Sequence, residues 1–300
     1  MAKNKITRRQ FVSTVTIGTG AVLAGKAALA NPVSGTAENG AFRQVTLGKS
    51  GLRTTFLGMG TGFSGYNRSS NITRAGVAET VIREAYGKGI RFFDCADSYG
   101  THPFTAAALK GLPRESYVLG SKIWVSQGGI PEPDRPDAGK VVERFRKELN
   151  TDYIDLIQIH CMTDGRWTDK EKKQMDILEN LKARKIIRAH GVSVHSLEAM
   201  EACAGNPWVD VVHVRINPYG EAMDKSDPAL VTPVIEKLHR EGKGIIGMKV
   251  IGAGKYKDDP SKIDESLKYV IGLGTIDMVI VGFEKGEQID DYIERIHKSV

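Results

Sequence analysis

The pattern that decides the fold is clearest at residues 89–100, which read GIRFFDCADSYG. Residues 90–96 are short, apolar and rich in β-branched and aromatic side chains, which predicts a buried strand. Asp94, Asp97 and Tyr99 lie at the end of that run or just beyond it. Ionisable side chains at this position are typical of the carboxyl edge of a parallel sheet, where such folds place their chemistry.

The same arrangement recurs along the rest of the chain. Short apolar runs lie near residues 56–60, 90–96, 117–123, 153–160, 187–194, 209–216, 244–250 and 277–283. Between them, helical periodicity marks residues 72–88, 137–149, 170–184, 229–241, 261–273 and 286–297. Eight β–α alternations predict an α/β fold with parallel strands, a (β/α)₈ TIM barrel. An open doubly wound sheet is the alternative, but residues 58–62 offer only G-x-G-x-G with no helix directly after them.

Two segments precede the barrel pattern. Residues 43–58 resemble a β-hairpin with a Lys49-Ser50-Gly51 turn, so the predicted barrel domain covers residues 43–300. Residues 31–42 are small and polar and are interpreted as a linker. Residues 1–30 carry five basic residues and no acidic one.

The first thirty residues resemble a twin-arginine-type signal peptide. Arg8-Arg9 and Phe11 precede a weakly apolar run, and Ala28-Leu29-Ala30 offers small residues for cleavage. This predicts an exported, periplasmic bacterial protein that uses the twin-arginine export machinery as a partner. A disordered basic leader is the alternative interpretation.

The remaining composition excludes several classes of protein. The whole chain has a net charge of +6, but without residues 1–30 it has 42 − 5 = 37 basic against 36 acidic residues. A nearly neutral body gives no electrostatic reason to expect nucleic acid as a partner. No apolar run of 18 residues follows the leader, so we expect no stable membrane span. The three cysteines lack the spacing of metal ligands, so we expect no metal site.

The predicted strand ends bring four reactive side chains to one rim: Asp94, Tyr99, Lys122 and His160. Reduction of a carbonyl by hydride transfer leaves negative charge on oxygen, which needs a proton from a nearby acid. A free tyrosine is too weak an acid at neutral pH unless a cation such as lysine stabilises its phenolate. A histidine beside the carbonyl can orient it by a hydrogen bond. Each of the four could instead be a structural residue, although a buried lysine without a partner would be costly.

Four motifs in the expected order resemble the aldo-keto reductase family, over roughly residues 43–300. They are the opening through Gly60-Thr61, the Asp94–Tyr99 segment, Leu119-Gly120-Ser121-Lys122, and Tyr153 through His160. The resemblance implies that Tyr99 is the general acid, that Lys122 and Asp94 lower its pKa, and that His160 orients the substrate. It also implies a nicotinamide cofactor and a small carbonyl or alcohol substrate.

The cofactor residues implied by the resemblance depart from the family pattern. Family members hold the nicotinamide amide with a Ser-Asn pair and a Gln, whereas this chain has Ser193, Val194 and His213 at those positions. Met248 replaces the usual stacking tyrosine, and a thioether can also pack on a ring. NADP(H) is favoured by family habit, while NAD(H) stays open because Gln288 carries no charge. The full cofactor-binding prediction is Gly60, Thr61, Ser193, His213, Met248, Lys249, Gly252, Gly254, Lys285 and Gln288, with an ordinary flexible loop as the alternative for the glycine-rich segment.

The substrate pocket is expected to be open, because the chain stops at the last predicted helix. Trp124, Trp167 and Tyr219 are the predicted walls, with local packing as the alternative role for each. The loop after Tyr99 lacks the glutamate common in the family, and His102 either faces the site or is exposed.

Two further functions remain open at this point. The chain could be an exported sensor or partner subunit that binds a nicotinamide cofactor with little turnover. It could also be an isomerase or lyase, with Lys122 forming a Schiff base, although that leaves the Asp94/Tyr99 pair unexplained.

Overall fold

The computed structural model describes residues 40–300. The predicted signal peptide and residues 31–39 of the predicted linker lie outside this range. Residues 40–42, the end of the predicted linker, are buried or half-buried against the barrel, with Ala41 fully enclosed.

Eight parallel strands close into a barrel, which confirms the predicted fold class. Each strand pairs with the next along the chain, and the last pairs with the first, so no edge is left open. The barrel strands are β3 (Leu57–Gly60), β4 (Phe92–Asp94), β5 (Val118–Ile123), β6 (Ile154–Met162), β7 (Ile187–Val194), β8 (Val211–Arg215), β9 (Gly244–Met248) and β10 (Met278–Gly282).

The predicted hairpin is present and closes the amino end of the barrel. Strands β1 (Gln44–Thr46) and β2 (Arg53–Thr55) pair in antiparallel register. Leu47 and Leu52 in the turn between them are fully buried. They pack against side chains near the beginnings of the barrel strands: Phe92, Val118, Leu156, Ala189, Val211, Ile246 and Met278. The hairpin leaves the opposite, carboxyl end of the barrel uncovered, and we call this end the barrel mouth.

Ten helices surround the barrel in residues 40–300. They are α1 (Asn71–Arg74), α2 (Ala78–Gly87), α3 (His102–Leu109), α4 (Ala138–Glu148), α5 (Trp167–Lys170), α6 (Lys172–Ala183), α7 (Leu197–Glu201), α8 (Pro228–Arg240), α9 (Pro260–Gly272) and α10 (Gly286–Lys298). Asp137, Asp227 and Asp259 begin α4, α8 and α9, because each carboxylate accepts a hydrogen bond from a backbone N–H of the first turn. Among these helices, none is long and apolar enough to cross a membrane.

The structure differs from the predicted helices after the first and second barrel strands. The predicted helix 72–88 is two helices, because Gly76 takes a left-handed conformation (φ 72°) that ends α1. The segment after Tyr99, expected as a rebuilt loop, folds into α3 with Pro103 in its first turn, where proline is favourable.

Candidate active site

Asp94 and Lys122 form a buried ion pair at the barrel mouth. Strands β4 and β5 are adjacent, so their carboxyl ends bring the two side chains together. Lys122 Nζ donates to Asp94 Oδ1 at 2.5 Å and to the Cys95 carbonyl at 3.1 Å. Asp94 is 3% exposed and Lys122 is 1% exposed, so each charge depends on the other for compensation.

Tyr99 is held over this pair by the short 3₁₀ turn Asp97–Tyr99. Buried Asp97 accepts from Arg68 at 3.1 Å and from Arg144 at 2.7 Å, which fixes the turn from both sides. A Cβ added at Gly62 would lie 2.2 Å from the Tyr99 ring, so the loop after β3 packs directly on the phenol. The Tyr99 ring thus has little freedom to move.

His160 completes the group at the end of β6. Its Nε2 lies 3.5 Å from the Tyr99 hydroxyl, and its ring meets the Tyr99 ring edge-on at 5.6 Å between centroids. Burial, followed by the positive charge of Lys122, lowers the pKa of His160 well below its usual value. The imidazole is therefore neutral near pH 7 and can donate one hydrogen bond. The structure thus brings together all four predicted catalytic residues, which we call the proton-relay residues.

The pKa of Tyr99 differs in direction from the expectation. Burial, followed by the negative charge of Asp94, raises the pKa of Tyr99 well above its ordinary value. Lys122 does not reverse this shift, since its ammonium is bonded to Asp94 and lies 5.2 Å from the centre of the Tyr99 ring. The phenol therefore holds its proton at neutral pH.

His213 lies beneath the proton-relay residues rather than on the cavity surface. It is fully buried, with Nε2 3.2 Å from Asp94 Oδ1 at an angle too poor for a regular hydrogen bond. Burial alone would raise the pKa of Asp94, but Lys122 and His213 outweigh it and hold that pKa at about 2. The prediction that His213 contacts the nicotinamide amide is not met in this structure, because the side chain points to Asp94.

The hydroxyls of two other predicted cofactor residues form hydrogen bonds within the protein. The Thr61 hydroxyl donates to the Asp94 carbonyl at 2.8 Å and also lies 2.8 Å from the Thr101 hydroxyl. The Ser193 hydroxyl accepts from the Cys161 backbone N–H at 2.8 Å. Both residues are buried, so they position the ends of β4 and β6 in this structure.

The other predicted cofactor residues surround one elongated cavity. It runs from Asp94 and Tyr99 past the ends of β3, β9 and β10 to the start of α10. The predicted residues that line it are Gly60, Thr61, Met248, Lys249, Gly254 and Gln288, whereas Gly252 and Lys285 are adjacent in sequence to lining residues. Gln288 Oε1 accepts from the Glu284 N–H at 2.7 Å, so this side chain caps its own helix.

Only one of the three predicted substrate walls lies beside His160. The Trp124 ring meets the His160 ring edge-on at 5.1 Å. Trp167 is 1% exposed and donates to the Ala199 carbonyl, so it is a core residue and not a wall. The Tyr219 hydroxyl donates to Glu265 on α9 at 2.5 Å, which turns that side chain away from the cavity.

His102 neither faces the cavity nor is exposed. It is buried behind the site, with Nε2 2.8 Å from the Ser121 hydroxyl and Nδ1 2.7 Å from Glu148. Glu148 is also bonded to Arg144, which holds Asp97 in turn. This chain of contacts links α4 to the turn that carries Tyr99.

A second group of side chains at the barrel mouth was not predicted. Cys161 Sγ lies 3.0 Å from His195 Nδ1, and Arg215 donates to Asp224 at 2.5 Å. Burial, followed by the charge of Arg215, lowers the pKa of His195 to about 3. The sequence places Cys161, His195 and Arg215 at the ends of β6, β7 and β8. Asp224, which pairs with Arg215, lies in a loop whose sequence has no recognisable pattern.

Comparison with known proteins identifies the family. The sequence model of the aldo/keto reductase family matches residues 57–268. The chain belongs to this family. An aldo/keto reductase domain therefore makes up most of the described barrel, and the match includes all four proton-relay residues.

Individual aldo/keto reductases are similar over parts of the chain. The soybean "Probable aldo-keto reductase 1" is 34% identical over 124 residues, which are 39% of this chain and 35% of that protein. "Aldo-keto reductase YhdN" of Bacillus subtilis is 26% identical over 191 residues, 60% of this chain and 56% of that one. The matched regions thus span between a third and somewhat over half the length of these curated relatives.

Solved aldo/keto reductase structures share the fold. The enzyme from Bacillus halodurans in its holo form has a TM-score of 0.67 at 19% identity, over 84% of this chain and 90% of that one. The Brucella melitensis protein has a TM-score of 0.61 at 18% identity, over 84% and 92%. These likenesses support the barrel and its hairpin.

Proposed function

We propose that this protein is an NAD(P)H-dependent reductase of aldehydes or ketones, with Tyr99 as general acid. The observation that carries the proposal is the 3.5 Å approach of the Tyr99 hydroxyl to His160 Nε2, directly above the Asp94–Lys122 ion pair. A carbonyl oxygen placed between the phenol and the imidazole would meet two hydrogen-bond donors. Such donors stabilise the negative charge that develops on that oxygen.

The protonation states support the reductive direction. Tyr99 keeps its proton at neutral pH because its pKa is raised, so it is ready to give that proton to the carbonyl oxygen. His160 is neutral, so it donates a hydrogen bond without carrying a competing charge. Lys122, held in place by Asp94, then stabilises the phenolate that remains. The nicotinamide cofactor supplies the hydride.

The cavity fits a dinucleotide that extends from the proton-relay residues to α10. Gly254 takes a left-handed conformation (φ 89°), and a Cβ there would lie 3.2 Å from the Phe63 ring, so glycine keeps this passage open. Met248 forms part of the wall near the relay. We propose that Met248, Gly254 and the start of α10 hold the cofactor, with Gly60 and the residues next to Gly252 and Lys285 completing the wall.

The preference between the two nicotinamide cofactors belongs to the proposal as well. Family habit favours NADP(H), which carries an extra phosphate. The α10 end of the cavity, however, is lined by Glu284 and Asp291 against one lysine, Lys257. Asp291 is bonded to Arg295 at 2.8 Å, whereas Glu284 forms no ion pair within residues 40–300. Because the Glu284 carboxylate repels that phosphate, we propose that NAD(H) binds at least as tightly as NADP(H).

Fluorescence titration and a reduction assay test the function together. The mature protein is titrated with NADH and NADPH, and cofactor oxidation is then followed with a panel of aldehydes and ketones. Binding with turnover supports the reductase. Binding without turnover on any substrate supports the alternative of a sensor or partner subunit. Quenching by neither cofactor contradicts both functions.

We also propose that the protein is exported by the twin-arginine route to the periplasm, on the basis of Arg8-Arg9 and the residues that follow. Fractionation of a bacterial host that expresses the full chain tests this. Replacement of both arginines with lysine is expected to retain the protein in the cytoplasm. Export of that variant at the normal level argues against the proposal.

A further inference from the structure

Among the cations at the carboxyl ends of the barrel strands, one has no counter-ion within residues 40–300. Lys122 is paired with Asp94, and Arg215 is paired with Asp224. Lys249 directly follows β9, and its ammonium forms no ion pair or hydrogen bond in the described part of the chain, although the side chain is half-buried. Lys249 is thus the one cation at a barrel strand end, within residues 40–300, whose charge is not paired.

The backbone of Lys249 has an uncommon conformation that is fixed by hydrogen bonds. Its φ is 60°, in the left-handed region that disfavours a side chain. Its carbonyl accepts from the Gly252 N–H at 2.9 Å and from Asn217 Nδ2 at 3.1 Å, which locks the turn. Strain of this kind in a non-glycine residue is often retained at functional sites.

The surroundings of Lys249 place its ammonium near the proton-relay residues. It lines the same cavity as Asp94 and Tyr99. Burial, followed by the charges of Arg215 and Lys122, lowers its pKa, and Asp94, already paired with Lys122, is the carboxylate that acts against this. Burial raises the pKa of the Cys161 thiol, so that neighbour carries no charge at neutral pH. These neighbours all lie on strand ends at the barrel mouth, away from α10. The pKa values of His160 and His195 are lowered, so these residues are neutral and add no further positive charge.

We propose that Lys249 binds a carboxylate of the substrate, so that the preferred substrates are short oxo acids, with the carboxylate a few bonds from the reacting carbonyl. This inference rests on the proposed function. In the reaction, Tyr99 gives a proton to the carbonyl oxygen, and the carbonyl carbon would receive the hydride that a bound NAD(P)H supplies, so that the products are a hydroxy acid and NAD(P)⁺. The carboxylate is unchanged by the reaction and supplies the counter-ion that Lys249 lacks.

Two matched pairs of probes test the inference. They are phenylglyoxylate with its methyl ester, and 4-carboxybenzaldehyde with its methyl ester, which differ mainly in charge. The wild-type protein is expected to prefer the acids. Lys249→Gln should lower the acid-to-ester ratio of kcat/KM by roughly 10- to 100-fold, the range of a lost charge-assisted hydrogen bond. Lys249→Arg should largely keep the ratio.

A control variant and a binding assay separate the possible outcomes. Lys268→Gln removes the same charge from an exposed site on α9, and the ratio should stay within about twofold. Trp124 beside His160 reports binding of the probes by fluorescence without turnover. Carboxylate binding that Lys249→Gln weakens, with no turnover of any probe, would support this inference while the proposed reductase fails.

Three results would overturn the inference. The first is equal kcat/KM and equal binding for acids and esters in the wild-type protein. The second is no binding of either acid. The third is a Lys249→Gln variant that keeps the acid-to-ester ratio; if this variant also loses affinity for NADH and NADPH, the lysine is assigned to the cofactor diphosphate.

Discussion

Removal of one partner from the Asp94–Lys122 pair should destabilise the barrel far more than removal of both. The two atoms are 2.5 Å apart and both side chains are almost completely buried, so a single substitution leaves a charge without compensation. Such a break costs about 3–5 kcal/mol in the free energy of unfolding. For a domain of this size, 1 kcal/mol corresponds to roughly 2 °C in Tm, so Asp94→Asn and Lys122→Met should each lower Tm by about 6–10 °C.

The double variant provides the decisive comparison. With both charges removed, the unfolding free energy should return to within about 2 kcal/mol of the wild-type value, because an ion pair replaced as a whole is often nearly neutral. Urea unfolding of all four proteins measures the coupling between the two residues. Effects of the two single variants that simply add, within about 0.5 kcal/mol, would refute the view that these charges compensate each other.

Three further predictions concern the same site. The kcat for reduction should be constant between about pH 6 and 9, because Tyr99 stays protonated below its raised pKa and His160 stays neutral above its lowered pKa. The rate of alcohol oxidation should instead rise with pH. A reduction rate that falls steeply near pH 7 would contradict this prediction. Gly62→Ala should lower turnover roughly 10- to 100-fold by displacing the Tyr99 ring, while Gly87→Ala, with open space around it, should not. Because the pKa of Asp94 is depressed to about 2, its ionisation contributes about 2 kcal/mol to the free energy of unfolding above pH 4, and this contribution is lost as the pH falls towards 2. Asp94→Asn should therefore show a shallower loss of stability in acid denaturation.

The strands and the main catalytic group were accessible from the sequence because both depend on local patterns. Each buried strand is a short apolar run, and its carboxyl end fixes where the next polar residue lies. This is why Asp94, Lys122 and His160 could be placed at one rim before any coordinates. Tyr99 could be placed there too because it lies only five positions after Asp94.

The positions and contacts of individual side chains were harder to predict from the sequence. Trp167 looked like a loop aromatic, but packing against Trp208 and a bond to the Ala199 carbonyl bury it, and neither contact leaves a local signal. His213 occupies a position that the resemblance assigns to the cofactor, yet the buried charge of Asp94 lies 3.2 Å away and offers it a closer partner. Both outcomes depend on residues far away in the sequence.

The pKa of Tyr99 was also outside the reach of sequence reasoning. The residue types suggested that Lys122 would lower it, but the sign depends on distances. The ammonium is bonded to Asp94, and burial of the phenol dominates, so the pKa is raised. A sequence pattern can therefore identify the residues around Tyr99, but not which of their opposing effects on its pKa is larger.

The measurement that tests the central claim most directly is hydride transfer in Tyr99→Phe. The substitution removes the proposed acid and keeps the ring that packs against Gly62 and His160. With a substrate that the wild-type protein reduces, single-turnover oxidation of NAD(P)H should slow by about 10²- to 10⁴-fold, while the Kd for the cofactor changes less than about threefold. A variant that reduces every such substrate at a near-normal rate would show that Tyr99 is not the acid.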